Sequence, residues 1–540
     1  MAARSNKFRL LAGVPTLVAA VFQPQVSSGG PVWTFVDASE TANVAVTHSN
    51  DAVPGTPTQR AGGGVAAGDY DRDGNIDLYV ITGPSGQNAL LHNQGDGTFQ
   101  DATSAAGVGL FGTHGSGPLF FDFDGDGWLD LFVGGTDGSA PVLFRNREGR
   151  HFVDVTQDAQ LLEVGSVISA SAGDYNGDGY PDLFLSHWGA DATLCHLFEN
   201  VRGERFQCAD QSARVEPFSS DLFDRAFSAN FVDIDQDGRQ DLLVASDFGT
   251  SRVLRNQGGY FETWASPVIS DENGMGSAIG DYDGDGSLDW FVSSIWDSDE
   301  ITEGNWGTSG NRMYRNRGDG TFEDRTDSAG VRQGDWGWAA CFADLNHDGN
   351  LDLVHVNGWP QGSAQFRNTP ARLFVGSSEG AFAERAAELG FIEQNNGRGL
   401  VCFDYDGDGD VDLFVMNNGA RAHLWRNDGA TALGNHLWVR LEGNAPNTQA
   451  LGAVVRVRTG KARQIRPVRA GSNYVSQDST AVHFGLGAAA VVDELRVTWP
   501  DGHESALSNL RANQRLVVDE EPVARYRPSG GCSMSAPWSR

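Results

Sequence analysis

The sequence predicts an all-β fold: a seven-bladed β-propeller closed by an N-terminal strand, followed by a small C-terminal β-sandwich. Three observations lead there. A nine-residue acidic motif recurs as DYDRDGNID from Asp69, DFDGDGWLD from Asp122, DYNGDGYPD from Asp174, DIDQDGRQD from Asp233, DYDGDGSLD from Asp281, DLNHDGNLD from Asp344 and DYDGDGDVD from Asp404. These seven copies lie 48 to 63 residues apart, a period that marks a repeat architecture. Each copy runs into a short apolar segment such as LYV, LFV or WFV. A second signature follows, as in LLHNQGDGTFQDAT from Leu90 and MYRNRGDGTFEDRT from Met313.

Taken in chain order, residues 1–28 read as a secretory signal peptide. The run MAARSNKFRLLAGVPTLVAAVF has a basic start and an apolar stretch too short to span a bilayer, and small and polar residues follow it, with cleavage expected after Ser28. No later segment is long and apolar enough to span, so the chain is expected to be secreted, extracellular or periplasmic. The propeller is expected over residues 29–430. Within one repeat the acidic motif is a tight turn between a first and a second strand. The second signature is two more strands around a Gly turn, so one repeat is a four-stranded unit. The seventh repeat lacks its fourth strand. WTFVDASETANV from Trp33 matches GTFEDRTDSAGV from Gly320 and is expected to supply it, which removes two open sheet edges.

After about Asn435 the repeat stops. The alternating runs HLWVRL, GAVVRVR, RQIRPVR, AVHFGLG and ELRVTWP predict a small β domain over residues 435–519. Residues 520–540 are rich in Pro, Ser and Gly and are expected to be disordered.

The chemistry is concentrated in the turns. Their first, third, fifth and ninth positions hold 26 Asp and two Asn. The candidate metal ligands are Asp69, Asp71, Asp73 and Asp77; Asp122, Asp124, Asp126 and Asp130; Asp174, Asn176, Asp178 and Asp182; Asp233, Asp235, Asp237 and Asp241; Asp281, Asp283, Asp285 and Asp289; Asp344, Asn346, Asp348 and Asp352; and Asp404, Asp406, Asp408 and Asp412. Crowded carboxylates repel. Hard oxygens without Cys or His suit Ca²⁺, with up to seven ions, better than Mg²⁺. Position 12 holds Val, Leu or His where an EF-hand needs Glu, which excludes that alternative. The turns at Asn176 and Asn346 are expected to bind more weakly. Aspartates that merely form Asx turns are the structural alternative.

DxDxDGxxDL with a following hairpin resembles the FG-GAP/VCBS repeats of integrin α-subunit propellers, over about residues 61–427. The resemblance implies Ca²⁺ in the turn of each blade, on the lower face. LGAVVRVRTG, GSNYVSQDSTAVHFGLG and VDELRVTWPDG look like the ASPIC/UnbV domain. Together, over about residues 33–519, the chain resembles the cartilage acidic protein family. That resemblance implies a secreted, calcium-loaded interaction or adhesion protein.

With 39 basic and 71 acidic residues the net charge is −32, which disfavours nucleic acid and anionic membranes as partners. A monomer is expected. The face opposite the acidic turns carries His187, Trp188, Trp296, Asp297, Trp359 and Arg398, a set suited to a glycan or protein ligand. Packing between blades is the alternative for such tryptophans, notably Trp336 and Trp338. No catalytic residue is assigned: GxSxG and HExxH are absent. An enzyme acting on polysaccharide (lyase or hydrolase), or tailoring a secondary metabolite in the same funnel, is the alternative function. Arg456, Arg458, Lys461, Arg463, Arg466 and Arg469 form a basic stripe that serves either an acidic ligand or docking on the acidic propeller. Cys195 and Cys208 flank a hairpin symmetrically and are expected to form a disulfide. Cys341 and Cys402 are expected as buried thiols.

Overall fold

The structure, a computed structural model, describes residues 9–10, 33–49, 56–161, 165–191, 194–218, 223–297, 307–359, 364–471 and 473–520. The signal-peptide and tail expectations fall almost wholly outside these residues. Among the described residues the fold is all-β with a few short helices.

Each acidic turn joins the first two strands of its own antiparallel sheet. In the first sheet these are Val65–Gly68 and Asp77–Val80, followed by Ala89–Asn93 and Phe99–Asp101. In the seventh they are Gly397–Phe403 and Asp412–Asn417, followed by His423–Asp428. The fourth place there is taken by Thr34–Asp37, which pairs antiparallel with His423–Asp428. Second strands such as Asp412–Asn417 are buried along their whole length, which accounts for their unbroken apolar runs. First strands of successive sheets touch one another in chain order, and Gly397–Phe403 of the seventh touches Val65–Gly68 of the first.

Residues beyond Asn435 form two further sheets. One contains Asn435–Glu442, Val482–Gly487 and Gln514–Asp519, and Arg9–Leu10 pairs with the last of these. The other contains Val454–Thr459, Ala462–Pro467, Val491–Thr498 and Glu504–Arg511. The two bury one apolar cluster that includes Leu437, Val455, Phe484 and Trp499.

The segment that links Ala462–Pro467 to Val482–Gly487 was not legible in the repeats. Around residues 469–478 the chain bonds to the first strand of every repeat sheet. Ser476–Gln477 pairs parallel with Val65–Gly68 of the first sheet. Gln477 brackets Phe120 of the second, accepting from its N–H at 2.7 Å and donating to its carbonyl at 2.8 Å. Ser169 of the third donates to the Tyr474 carbonyl. Arg469 donates to Asn230 of the fourth. Asn473 accepts from Ser277 of the fifth and Ala340 of the sixth, and its Nδ2 donates to the Leu400 carbonyl of the seventh.

Cys195 and Cys208 form a disulfide with Cα atoms 5.9 Å apart. Cys341 and Cys402, expected as separate thiols, are also joined, with Cα atoms 6.8 Å apart. They sit on first strands of the sixth and seventh sheets, and the contact between those strands brings them together.

Candidate metal centres

The seven turns share one hydrogen-bond plan. Glycine at position six adopts φ between 88° and 100° in all of them, from Gly238 to Gly409, where a side chain would strain the backbone. Its N–H donates to the Oδ2 of the first aspartate at 2.8–3.1 Å. The ninth aspartate is buried. Its Oδ2 accepts from the N–H of position two at 2.9–3.3 Å. Its Oδ1 accepts from a third-strand N–H at 2.7–2.8 Å. In the first turn one oxygen each from Asp69, Asp71 and Asp77 lies within 4.8 Å of the other two. Oδ1 of Asp69 and of Asp235 is buried with no hydrogen-bond partner. An all-oxygen donor set with orphaned lone pairs fits a hard divalent cation.

The acidity follows the same logic. Burial pushes the ninth-position carboxyls up against the backbone donors that lower them, Asp77 to about 7 and Asp241 to about 8. For Asp412 burial is reinforced by Asp406 and Asp404. A bound cation reverses this penalty, because it favours the charged form.

Two features were missed in the sequence. The first is the asparagine that supplies the third-strand N–H in six sheets: Asn93, Asn146, Asn200, Asn256, Asn316 and Asn427. Its Nδ2 donates to the position-two carbonyl of the preceding sheet at 2.7–2.9 Å, and Asn93 reaches Tyr405 of the seventh. The sixth sheet has Gly376 there, since a Cβ would meet the Leu351 carbonyl at 2.1 Å.

The second is the residue just before it. In five sheets it is a cation: His92, Arg145, Arg255, Arg315 or Arg426. Arg145 Nε lies 2.9 Å from Asp124 Oδ2, Arg315 bonds Asp283, and His92 Nδ1 is 3.4 Å from Asp71. The two sheets without a cation have Glu199 and Val375, and theirs are the turns with Asn176 and Asn346 at position three. A third-position carboxylate thus goes with a local cation, and its loss goes with the loss of that cation.

The residues after Asn435 lie over the acidic turns. Arg440 reaches Asp69 Oδ2 at 2.7 Å and Arg515 reaches Asp404 Oδ2 at 2.6 Å. Thr448 bonds Asp122. The basic stripe divides. Arg466 and Arg469 point into the seam, while Lys461 and Arg463 are exposed and Arg458 pairs with Asp493 and Glu494.

The opposite face departs from expectation. His187 is fully buried, with Nδ1 against the Ser166 carbonyl and Nε2 against that of Cys195. Arg398 is fully buried too, donating to the carbonyls of Arg60, Gly358 and Gly397 and lying 4.1 Å over the Trp338 ring. Neither is presented to a ligand. Trp359 stacks on Trp336 at 4.9 Å and on Trp338 at 5.7 Å. Trp188 stacks on Phe227 at 5.0 Å and donates to Asp247. These rings and Tyr474 form one apolar cluster. Trp296 is half-buried and Asp297 buried. What this face exposes instead is Phe111, Phe223, Phe248 and Ile392, at 55–73% of their surface, all in loops at the end of the sheets away from the turns.

An FG-GAP-like repeat model matches residues 69–133, 122–185, 233–292 and 297–355, and an ASPIC and UnbV model matches residues 443–525. The chain carries FG-GAP-like repeats and an ASPIC and UnbV domain. Cartilage acidic protein 1 of Homo sapiens is 25% identical to it over 71% of this chain and 68% of that protein. The Xenopus tropicalis protein of the same name is 25% identical over 75% and 73%. T-cell immunomodulatory protein of Homo sapiens is 30% identical over 24% of this chain and 25% of that protein. Among solved structures, rhamnogalacturonan lyase YesW is similar at 13% identity and a TM-score of 0.36, covering 71% of this chain and 75% of that one. That likeness is too weak to bear on function. Among the described residues, no helix is long and apolar enough to cross a membrane.

Proposed function

We propose that this protein is a secreted, calcium-loaded interaction module. In this reading the seven sheets are the blades of one closed propeller, the ASPIC and UnbV domain is a β-sandwich capping the turn face, and each turn holds one Ca²⁺. The observation that carries it is the sevenfold repetition of one carboxylate cage, with buried oxygens left unpaired at Asp69 and Asp235. Contacts between successive first strands, from seventh back to first, support closure.

The capping domain occupies the turn face, so the free face is the one with Phe111, Phe223 and Phe248. Exposed aromatics held on loops over a rigid scaffold are contact residues for a partner, here a protein or glycan. The test is binding of the Ca²⁺-loaded protein to arrayed matrix proteins and glycans. Binding that Phe111→Ser and Phe248→Ser abolish supports the proposal. Binding that both variants retain refutes this face as the contact surface.

A further inference from the structure

The acidic turns are not the only constellation with metal chemistry. The sixth turn, DLNHDGNLD, places His347 at its fourth position. Four other turns have glycine there, and the backbone is left-handed at this point, with φ 59° at His347. Arg72 and Gln236 take the same backbone at the fourth position of their turns, with φ 60° and 58°, so what sets His347 apart is its burial. The His347 ring is fully buried, because His436 and His483 of the C-terminal β domain close over it. His436 precedes the buried Trp438 on Asn435–Glu442, and His483 lies on Val482–Gly487 against the Trp438 ring at 4.8 Å. Close approach is enforced by glycines. A Cβ on Gly409 would fall 2.4 Å from Nε2 of His436, and one on Gly485 would fall 2.7 Å from the His347 Cα.

The three imidazoles converge. Ring centroids are 5.0 Å apart for His347–His436 and His347–His483, and 6.2 Å apart for His436–His483. All three side chains are more than nine-tenths buried, yet Nε2 of His347, Nδ1 of His436 and both ring nitrogens of His483 have no hydrogen-bond partner. Buried polar atoms are nearly always paired, so four orphans in one cluster call for a ligand.

We propose that His347, His436 and His483 form a binding site for a divalent transition metal, with zinc the first candidate. Metal–nitrogen bonds of about 2.0–2.1 Å put each ring centroid about 3.2 Å from the ion, so tetrahedral pairs have centroids about 5.2 Å apart. Two of the three spacings already match, and the third closes by about 1 Å. Nitrogen donors suit zinc and copper and do not suit the Ca²⁺ proposed for the turns. Asp410, whose Oδ1 is 3.9 Å from Nε2 of His347, is the nearest carboxylate for the fourth position. A cavity of about 100 Å³ lined by His483, Trp438, Asp344 and Arg466 borders the site and admits water or the ion. Since one ligand comes from a repeat turn and two from the capping domain, the metal would pin the two together.

The test is Zn²⁺ and Co²⁺ titration of the full chain in excess Ca²⁺, which blocks the oxygen sites. One Zn²⁺ should be retained per chain, and Co²⁺ should give the intense visible absorption of a tetrahedral site. His347→Gly introduces the residue four sibling turns carry, so its fold is safeguarded. It should weaken Zn²⁺ at least about 100-fold, since even outer-shell changes cost 10–100-fold, and leave Ca²⁺ binding unchanged. His483→Gln should do the same. The proposal is overturned if wild type retains no Zn²⁺ under these conditions, or if His347→Gly binds it as tightly as wild type.

Discussion

Asn316 ties two sheets together with one amide. Its N–H holds Asp289, while its Nδ2 donates to Leu288 in its own sheet and to Ile234 in the sheet before. Asn316→Ala leaves both buried carbonyls without that donor, and the expected loss is about 1–3 kcal/mol, read by denaturant unfolding. His196 sets a pH dependence. Burial alone would lower its pKa, but bonds to Asp210 and Asp224 outweigh burial and raise it to about 9. A raised folded-state pKa gives stability fully present below the unfolded value of about 6.5 and lost as pH rises through about 9. Asp224, lowered by the same bond against its burial, contributes only above its own usual range. The melting temperature should therefore fall from pH 6.5 to 9, and His196→Gln should flatten that part of the slope. An unchanged slope in the variant would mean that the pair does not titrate as described.

At the level of elements, two short segments join sheets that are distant in the chain. Thr34–Asp37 completes the seventh sheet from the other end of the chain. Deleting residues 29–50 exposes the edge of His423–Asp428, and the expected result is aggregation or a collapse of the melting temperature. A soluble truncation with wild-type melting would rule that out. The segment around residues 469–478 is held by its backbone, by the side chains of Arg469, Asn473 and Gln477, and by Tyr474, which is fully buried between Phe227 and Trp338 and donates to the Ala61 carbonyl at 3.0 Å. Tyr474→Ala should cost about 3–5 kcal/mol, the range for emptying a core aromatic site. A loss below about 1 kcal/mol in calorimetry would mean that the segment is not anchored as described.

At the scale of the whole molecule, what was legible in the sequence was local. Each acidic turn is nine residues whose carboxylates, glycine and following apolar strand sit together, so the repeat and its strands could be read directly. The strand Thr34–Asp37 was legible because it copies its siblings. What escaped depends on neighbours distant in the chain. Asn93 stands in the quoted HN pair, but its partner Tyr405 lies in the seventh repeat. Cys341 and Cys402 are 61 residues apart and meet only where two sheets touch. GSNYVSQDS carries no sign of its bonds to the repeat sheets, because their strands lie far off in the chain, 73 residues away for Leu400 and 357 for Phe120. Tryptophans in loops suggested a ligand face, whereas Arg398 and Tyr474 draw Trp338 and Trp359 into a core. In the function proposed, the stability of the seven sheets depends on Ca²⁺. At ~1 mM free ion and ~0.1 mM affinity, one site contributes RT ln(1 + 10), about 1.4 kcal/mol. Seven sites together are comparable to the stability of a domain. Asp412→Ala should remove one ion. The most direct measurement is calorimetry with and without chelator, paired with elemental analysis. The expected result is several Ca²⁺ per chain and a steep fall in melting temperature on chelation that Mg²⁺ restores poorly. A metal-free protein whose melting temperature chelator leaves unchanged would contradict it.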